Sequence, residues 1–364
     1  MNLLNRFTTG HSGLYLAALF SAVFVTALIF ASAGTGYAAE IAVLPFAAGA
    51  GADAPLGLAL GGLIVTQASL ESIRRQFSRL YEAGFGMADH FWDQVAMEVM
   101  SNTGSNVYGW LGQWPQFREW IGDRVFNDLK EHAYTLQNRK FESSVAVGRD
   151  QIEDDNLGVY RPIVKEMGRA TSVFPDELVG ECIANGEVKL CYDGQPFFDT
   201  EHPVYAKTDG TGANTPVSNL LGTGTDPAWY LLDTSREVKP FIYQIRRKPE
   251  FTMMTALTDE AVFTSDSFRM GVSLRAEAGF GLWQMAIKST QPLTAANFEA
   301  ARKLMRSFKA DGGRPLGCKP NVLLCGTQLE PEAEKILVRD RIDGGDTNVN
   351  RGKAKIISTE WLDD

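Results

Sequence analysis

The chain has 364 residues, 45% of them hydrophobic and 22% charged, with a formal net charge of −9. That length holds one large domain or two to three smaller ones. The acidic balance argues against a sequence-reading nucleic-acid binder, because it repels phosphate, but it does not exclude a protein that merely surrounds nucleic acid. Cys182, Cys191, Cys318 and Cys325 lack the paired short spacing of a zinc ribbon or finger and read as reduced core thiols.

The first predicted element is a problem. Residues 14–33 contain no charge over twenty positions, enough to span a bilayer as a helix. Arg6 precedes the run and small residues follow it, the pattern of a secretory signal or membrane anchor. Residues 40–62 are rich in Ala and Gly and resemble a linker; ordinary charged and aromatic density begins at about Leu63. Three readings stand for residues 1–62: an export signal, a removable pro-segment, or upstream sequence joined through a mistaken start.

Thr66 is a candidate N-cap for an amphipathic helix over 67–82, with Leu70, Ile73, Phe77, Leu80 and Tyr81 at helical spacing. Between 103 and 128 the pattern changes. Tyr108, Trp110, Trp114, Phe117 and Trp120 place five aromatics in thirteen positions, broken by Gly109, Gly112, Pro115 and Gly122. Arg118 and its charged neighbours are interspersed. Such a stretch forms no core alone and is expected to cover, or be covered by, another surface. The plainer alternative is an aromatic core loop. Strand character from 133 to 147 puts Phe141, Ser143, Val145 and Val147 on one face. Together these predict a long two-stranded excursion over about 105–150.

After Glu153, Asp154 and Asp155 comes a long helix. Tyr160, Ile163, Val164, Met167, Ala170, Phe174, Leu178 and Cys182 form one apolar stripe. Pro175 is expected to kink or divide it, and Gly186 to stop it. Residues 191–227 read as loops. Strands are expected near 229–233, 240–246, 268–287 and 321–325, and helices over 295–309 and 331–339, an α+β pattern.

The chain has no Walker loop, dinucleotide fingerprint, nucleophile elbow or His-Glu-x-x-His helix. Asp199, Glu201 and His202 make the best hydrolase or metal candidate, but no second histidine lies nearby, and a rigid turn buttressed by Phe197 and Phe198 is favoured. No catalytic, cofactor or metal residue is therefore assigned. Arg246 and Arg247, with Lys248, form the densest basic cluster. It is expected to pair with the acidic run at 153–155 of a neighbouring subunit rather than with DNA.

Taken in order, several stretches resemble one family. They are residues 63–66, Tyr108-Gly109-Trp110-Leu111-Gly112, residues 118–124 and 150–158, Tyr192-Asp193-Gly194-Gln195-Pro196-Phe197-Phe198 with His202-Pro203, residues 232–235, Arg246-Arg247-Lys248-Pro249, and 311–317. The set resembles the major head subunit of Mu-like phages and prophages, a branch of the tailed-phage major capsid proteins. The resemblance implies the Hong Kong-type coat fold. Residues 63–104 would be an N-terminal arm and 105–150 the extended loop. Residues 151–364 would form the peripheral and axial domains, with a spine helix at about 157–186. It further implies self-assembly into pentamers and hexamers of an icosahedral shell enclosing double-stranded DNA without sequence-specific binding. A scaffolding protein, a head maturation protease and a portal are the implied partners; no cofactor or catalysis is implied. Tyr108, Trp110, Trp114, Phe117, Arg118, Trp120, Arg246 and Arg247 become subunit-interface candidates. Such proteins lack a hydrophobic leader, so the mistaken-start reading of 1–62 is preferred and membrane insertion is not expected. An exported protein, or a shell of the same fold with another cargo, is the alternative.

Overall fold

A computed structural model describes residues 67–109, 111, 134–153, 157–208, 210–256, 258–342 and 344–363, all within one compact unit, Gly61–Asp364. The apolar run at 14–33, the Thr66 cap, Trp110, Trp114, Phe117, Arg118, Trp120, Asp154 and Asp155 lie outside the described residues. No helix among the described residues is long and apolar enough to cross a membrane.

The chain runs through α1 (Gln67–Phe85), α2 (Trp92–Val95), β1 (Ala96–Met100), β2 (Ser105–Val107), β3 (Thr135–Gln137), β4 (Arg139–Gly148), α3 (Arg149–Glu153) and α4 (Leu157–Ala184). Then follow β5 (His202–Tyr205), β6 (Asn214–Val217), β7 (Leu220–Leu221), β8 (Trp229–Leu232), β9 (Phe241–Met254), α5 (Glu260–Ser265), β10 (Ser267–Phe280), β11 (Ala286–Ser289), α6 (Ala295–Ser307), β12 (Val322–Cys325), α7 (Glu330–Leu337) and β13 (Lys355–Ser358).

Helix α1 buries Leu70, Ile73, Phe77 and Tyr81, the predicted stripe, against Val164 and Met167 of α4. The two helices meet backbone to backbone at glycines. A Cβ on Gly168 would lie 2.1 Å from the Tyr81 carbonyl oxygen, and one on Gly84 1.9 Å from that of Lys165. Helix α4 is continuous for 28 residues through both Pro162 and Pro175, so the expected division at Pro175 is corrected. Proline removes one rung of the helical ladder, but packing holds both halves. Val164 and Met167 anchor the first half, while Leu178, Val179, Cys182 and Ile183 are buried in the main core. Asp176, next to the proline, accepts hydrogen bonds from the backbone N–H groups of Phe91 (3.0 Å) and Trp92 (2.8 Å), tying α4 to the start of α2.

Four strands form one sheet in the order β1-β9-β10-β4, with β1 parallel to β9 and the other pairs antiparallel. Strand β9 continues to Met254, well past the 240–246 span predicted for it. The β9–β10 register slips between Ser273 and Ala276, opposite Ile245 to Glu250. Pro249 falls in this irregularity, where a strand tolerates a residue without an N–H. The slip divides the sheet. Beyond it Phe268, Met270 and Val272 join α1 and α4 in a smaller core; before it Phe241, Ile242, Ala276 and Phe280 join the main one.

A second sheet has the order β13-β12-β8-β11-β7. Its strands β8, β11 and β12 are buried at every position, the signature of a sheet covered on both faces. Phe298, Ala301 and Met305 of α6 and Ala333, Ile336 and Leu337 of α7 belong to the same core. The single strand expected over 268–287 is therefore two, β10 in the first sheet and β11 in the second, separated by a turn at Trp283–Met285. The stretch 191–227 is not all loop, since β5 and β6 pair as an antiparallel ribbon.

Candidate subunit interface

The excursion predicted over 105–150 is rooted in a ribbon three pairs long, Ser105↔Gln137, Asn106↔Leu136 and Val107↔Thr135. Strand β4 does not continue that ribbon. It pairs instead along its whole length with β10, from Gly148↔Ser267 to Arg139↔Ala276. Residues 112–133, which connect the ribbon's two strands along the chain, lie outside the described residues.

Tyr108 requires a correction. Its place in the aromatic cluster predicted a contact with another subunit, but it is 4% exposed and belongs to this subunit's own core. Its hydroxyl donates to Oε1 of Gln244 at 2.7 Å. Burial pushes its pKa up to about 12, so it stays a neutral donor. The Gln244 amide donates to the Leu136 carbonyl (3.2 Å) and to Oδ1 of Asn138 (2.9 Å). Asn138 in turn donates to Oγ of Ser101 and to the carbonyls of Thr103 and Gly104, each at 3.1 Å. Tyr134 accepts from the Phe280 N–H at 2.9 Å. None of these partners was singled out from sequence, although one signal was available: Gln244 interrupts the apolar run Phe241-Ile242-Tyr243-Gln244-Ile245.

Arg246 and Arg247 lie on β9 at the register slip. Arg246 is exposed and makes no ion pair among the described residues. Arg247 is half-buried; it donates through Nη2 to Oγ of Ser273 at 2.9 Å, and its Nε lies 3.9 Å from the Glu250 carboxylate. Arg247 is thus partly engaged within its own subunit, which leaves Arg246 as the freer charge. Arg139 was also not anticipated. It forms a bidentate pair with Glu277 (2.5 and 3.0 Å) and reaches Glu181 of α4 at 3.5 Å. Exposed apolar side chains mark other faces: Phe263, on α5 at the end of the β9–β10 pair, is 88% exposed, and Val188 is 77% exposed.

The structure does not bring Asp199, Glu201 and His202 together as a reactive set. Asp199 Oδ1 accepts from the backbone N–H of Thr200 and Glu201. His202, fully buried, stacks on Trp283 with ring centroids 4.1 Å apart. Its Nδ1 faces Asp193 Oδ2 at 2.7 Å and its Nε2 the Phe197 carbonyl at 3.2 Å. Both ring nitrogens therefore face acceptors, with Nδ1 within hydrogen-bond reach of the Asp193 carboxylate. Burial works against the Asp193 carboxylate, but hydrogen bonds from His202, the Cys191 thiol and the Gln195 N–H outweigh it and hold its pKa below the usual range. Cys191, Asp193 and His202 place donor atoms within 4.8 Å of one another, a set that could hold a metal, yet their hydrogen bonds satisfy them internally. Burial raises the Cys191 thiol far above its ordinary value, which disfavours the thiolate a metal would need. The arrangement is a structural lock on the turn at 191–203.

The chain superposes on the subunit of "Procapsid of bacteriophage JBD30" with a TM-score of 0.73 and 48% identity, over 82% of this chain and all of that one. The fold class is that of the tailed-phage coat proteins, α+β. The family described as "Mu-like prophage major head subunit gpT" matches residues 70–362. The chain is 42% identical over 305 residues to the "Major capsid protein" of Escherichia phage Mu, covering 82% of this chain and all of that protein. It is 40% identical over 294 residues to the "Mu-like prophage FluMu major head subunit" of Haemophilus influenzae, covering 79% and 95%. The chain belongs to the Mu-like major head subunit family and is a structural protein of the phage head.

Proposed function

We propose that copies of this chain, as pentamers and hexamers, tile a closed icosahedral head around double-stranded DNA. Buried surface between copies is the working principle, and no side chain is reserved for chemistry. The observation that carries this reading is the match to a major capsid protein over that protein's whole length. Closed symmetry lets one set of self-complementary surfaces serve many neighbours, and valency multiplies weak contacts.

Within that reading, α1 and the residues up to β1 act as the N-terminal arm, and the excursion rooted at β2 and β3 reaches onto a neighbour with its aromatic segment. Helix α4 is the spine of the peripheral domain, and the five-stranded sheet builds the axial one. Trp110, Trp114, Phe117, Arg118, Trp120 and Arg246 are the contact residues. Assembly takes place in the host cytoplasm with a scaffolding protein, a maturation protease and a portal, as the family likeness suggests. The net charge of −9 supports enclosure of DNA without binding it. Replacing 112–133 by a short Gly/Ser linker tests the reading. The expected product is a folded subunit that makes no stable shell; normal particles would reject the assigned role.

A further inference from the structure

We propose that Gln244 is a positioning residue that fixes the direction of the β2–β3 ribbon against the four-stranded sheet, and through it the uniformity of the shell. This rests on the reading of the excursion as a contact between copies.

Gln244 sits in β9 between Val99 of β1 and Glu277 of β10, fully buried. An amide in that position is disfavoured unless its groups are bonded. Here the bonds run outward to both legs of the ribbon. Tyr108, just past β2, donates to the amide oxygen, while Leu136 of β3 and Asn138, just past β3, accept from the nitrogen. Asn138 then carries the network to Ser101, Thr103 and Gly104, the link between β1 and β2. Gly279 of β10 opens the slot beside it: a Cβ there would lie 2.6 Å from a Leu136 methyl and 2.8 Å from the Tyr134 hydroxyl.

Three ladder pairs are too few to hold a ribbon by themselves. Its direction must be imposed at the root. Apolar packing alone would tolerate a range of angles, because dispersion is not directional, whereas a hydrogen-bonded amide accepts a narrow one. An apolar residue would fill the same volume in β9, so burial does not explain the glutamine, while orientation does.

The test uses the full chain. Gln244→Met with Tyr108→Phe removes both ends of the shortest bond in the network and keeps side-chain volume. The expected result is a subunit with wild-type circular dichroism whose particles lose their single diameter, giving open sheets, spirals or mixed sizes in electron micrographs. Ile287→Val, a buried truncation in the second sheet, is the control for lowered stability alone and should still give single-diameter shells. Uniform shells from the folded double variant would overturn the proposal. Should the double variant fail to fold, Tyr108→Phe alone carries the test: it leaves Gln244 bonded to Leu136 and Asn138, broadened diameters are again expected, and wild-type shells would again overturn the proposal. The linker replacement of 112–133 separates the two claims. Shells that form normally without that segment reject the contact reading itself. Shells that need the segment but ignore Gln244 reject only the positioning role.

Discussion

Gly168→Ala on α4 sets two known effects against each other. Within a helix, Ala is favoured over Gly by about 1 kcal/mol, so propensity alone predicts stabilisation. At Gly168, however, the new Cβ would lie 2.1 Å from the Tyr81 carbonyl oxygen and 2.9 Å from the Phe85 nitrogen. Both are backbone atoms, and no rotamer change relieves them. Reaching ordinary contact near 3.4 Å requires α1 and α4 to separate by about 1 Å, which loosens Leu70, Ile73, Phe77 and Tyr81 from Val164 and Met167. Overpacking of this kind costs about 1–3 kcal/mol, and backbone displacement belongs at the upper end, so the net loss should be about 1–2 kcal/mol after the propensity gain. Calorimetry on unassembled subunits should show Tm lower by about 2–6 °C. Gly158→Ala, near the start of the same helix, meets nothing within 4 Å. It should leave Tm unchanged or raise it by about 1–3 °C. If Gly168→Ala matched or exceeded the wild-type Tm, the close crossing of the two helices would be wrong.

Three further outcomes are expected. Asp193→Asn disrupts the buried pair with His202 and the bonds from the Cys191 thiol and the Gln195 N–H, and should cost about 1–3 kcal/mol. Because the Asp193 pKa is depressed in the fold, the pair's contribution is fully present above the unfolded value of about 4 and is lost as pH falls through the lower folded value. The variant should therefore lose part of the wild type's acid sensitivity below pH about 4, seen in denaturation curves at stepped pH; an unchanged curve would contradict the pairing. Arg246→Glu should shift subunit stability by less than about 0.5 kcal/mol yet reduce particle yield in sedimentation, and full yield would remove Arg246 from the interface. The thiols of Cys182 and Cys325, pushed up to about 12 by burial, and that of Cys318, pushed up to about 11, should resist Ellman's reagent at pH 8 until the chain is unfolded.

Elements with one dry face were readable from sequence. The stripe of α1, and that of α4 at Val164, Met167, Leu178 and Cys182, report burial directly, because a helix repeats its inward face at a fixed period, although Ile163 and Ala170 of the predicted α4 stripe are exposed. What periodicity cannot report is partnership. The strand-like stretch 268–287 was read as one element, and the turn at Trp283–Met285 that parts the two sheets lies inside it. Pro175 read as a break because the local rule knows nothing of the packing on either side. Strand β13 went unseen, being four residues in a polar stretch and held by pairing to β12. The site shows the same limit. Sequence proximity grouped His202 with Asp199 and Glu201, whereas the fold folds the chain back to Asp193, nine positions away. Aromatic density grouped Tyr108 with Trp110 to Trp120, whereas its hydroxyl belongs to the root of the excursion and to Gln244.

Cryo-electron microscopy of the expressed chain, purified by size, tests the whole account in one step. Closed shells of a single diameter are predicted, in which α4 lines each subunit's periphery and the segment rooted at β2 and β3 lies across the adjacent copy. A chain that stays monomeric under every assembly condition, or shells in which that segment touches only its own subunit, would contradict it.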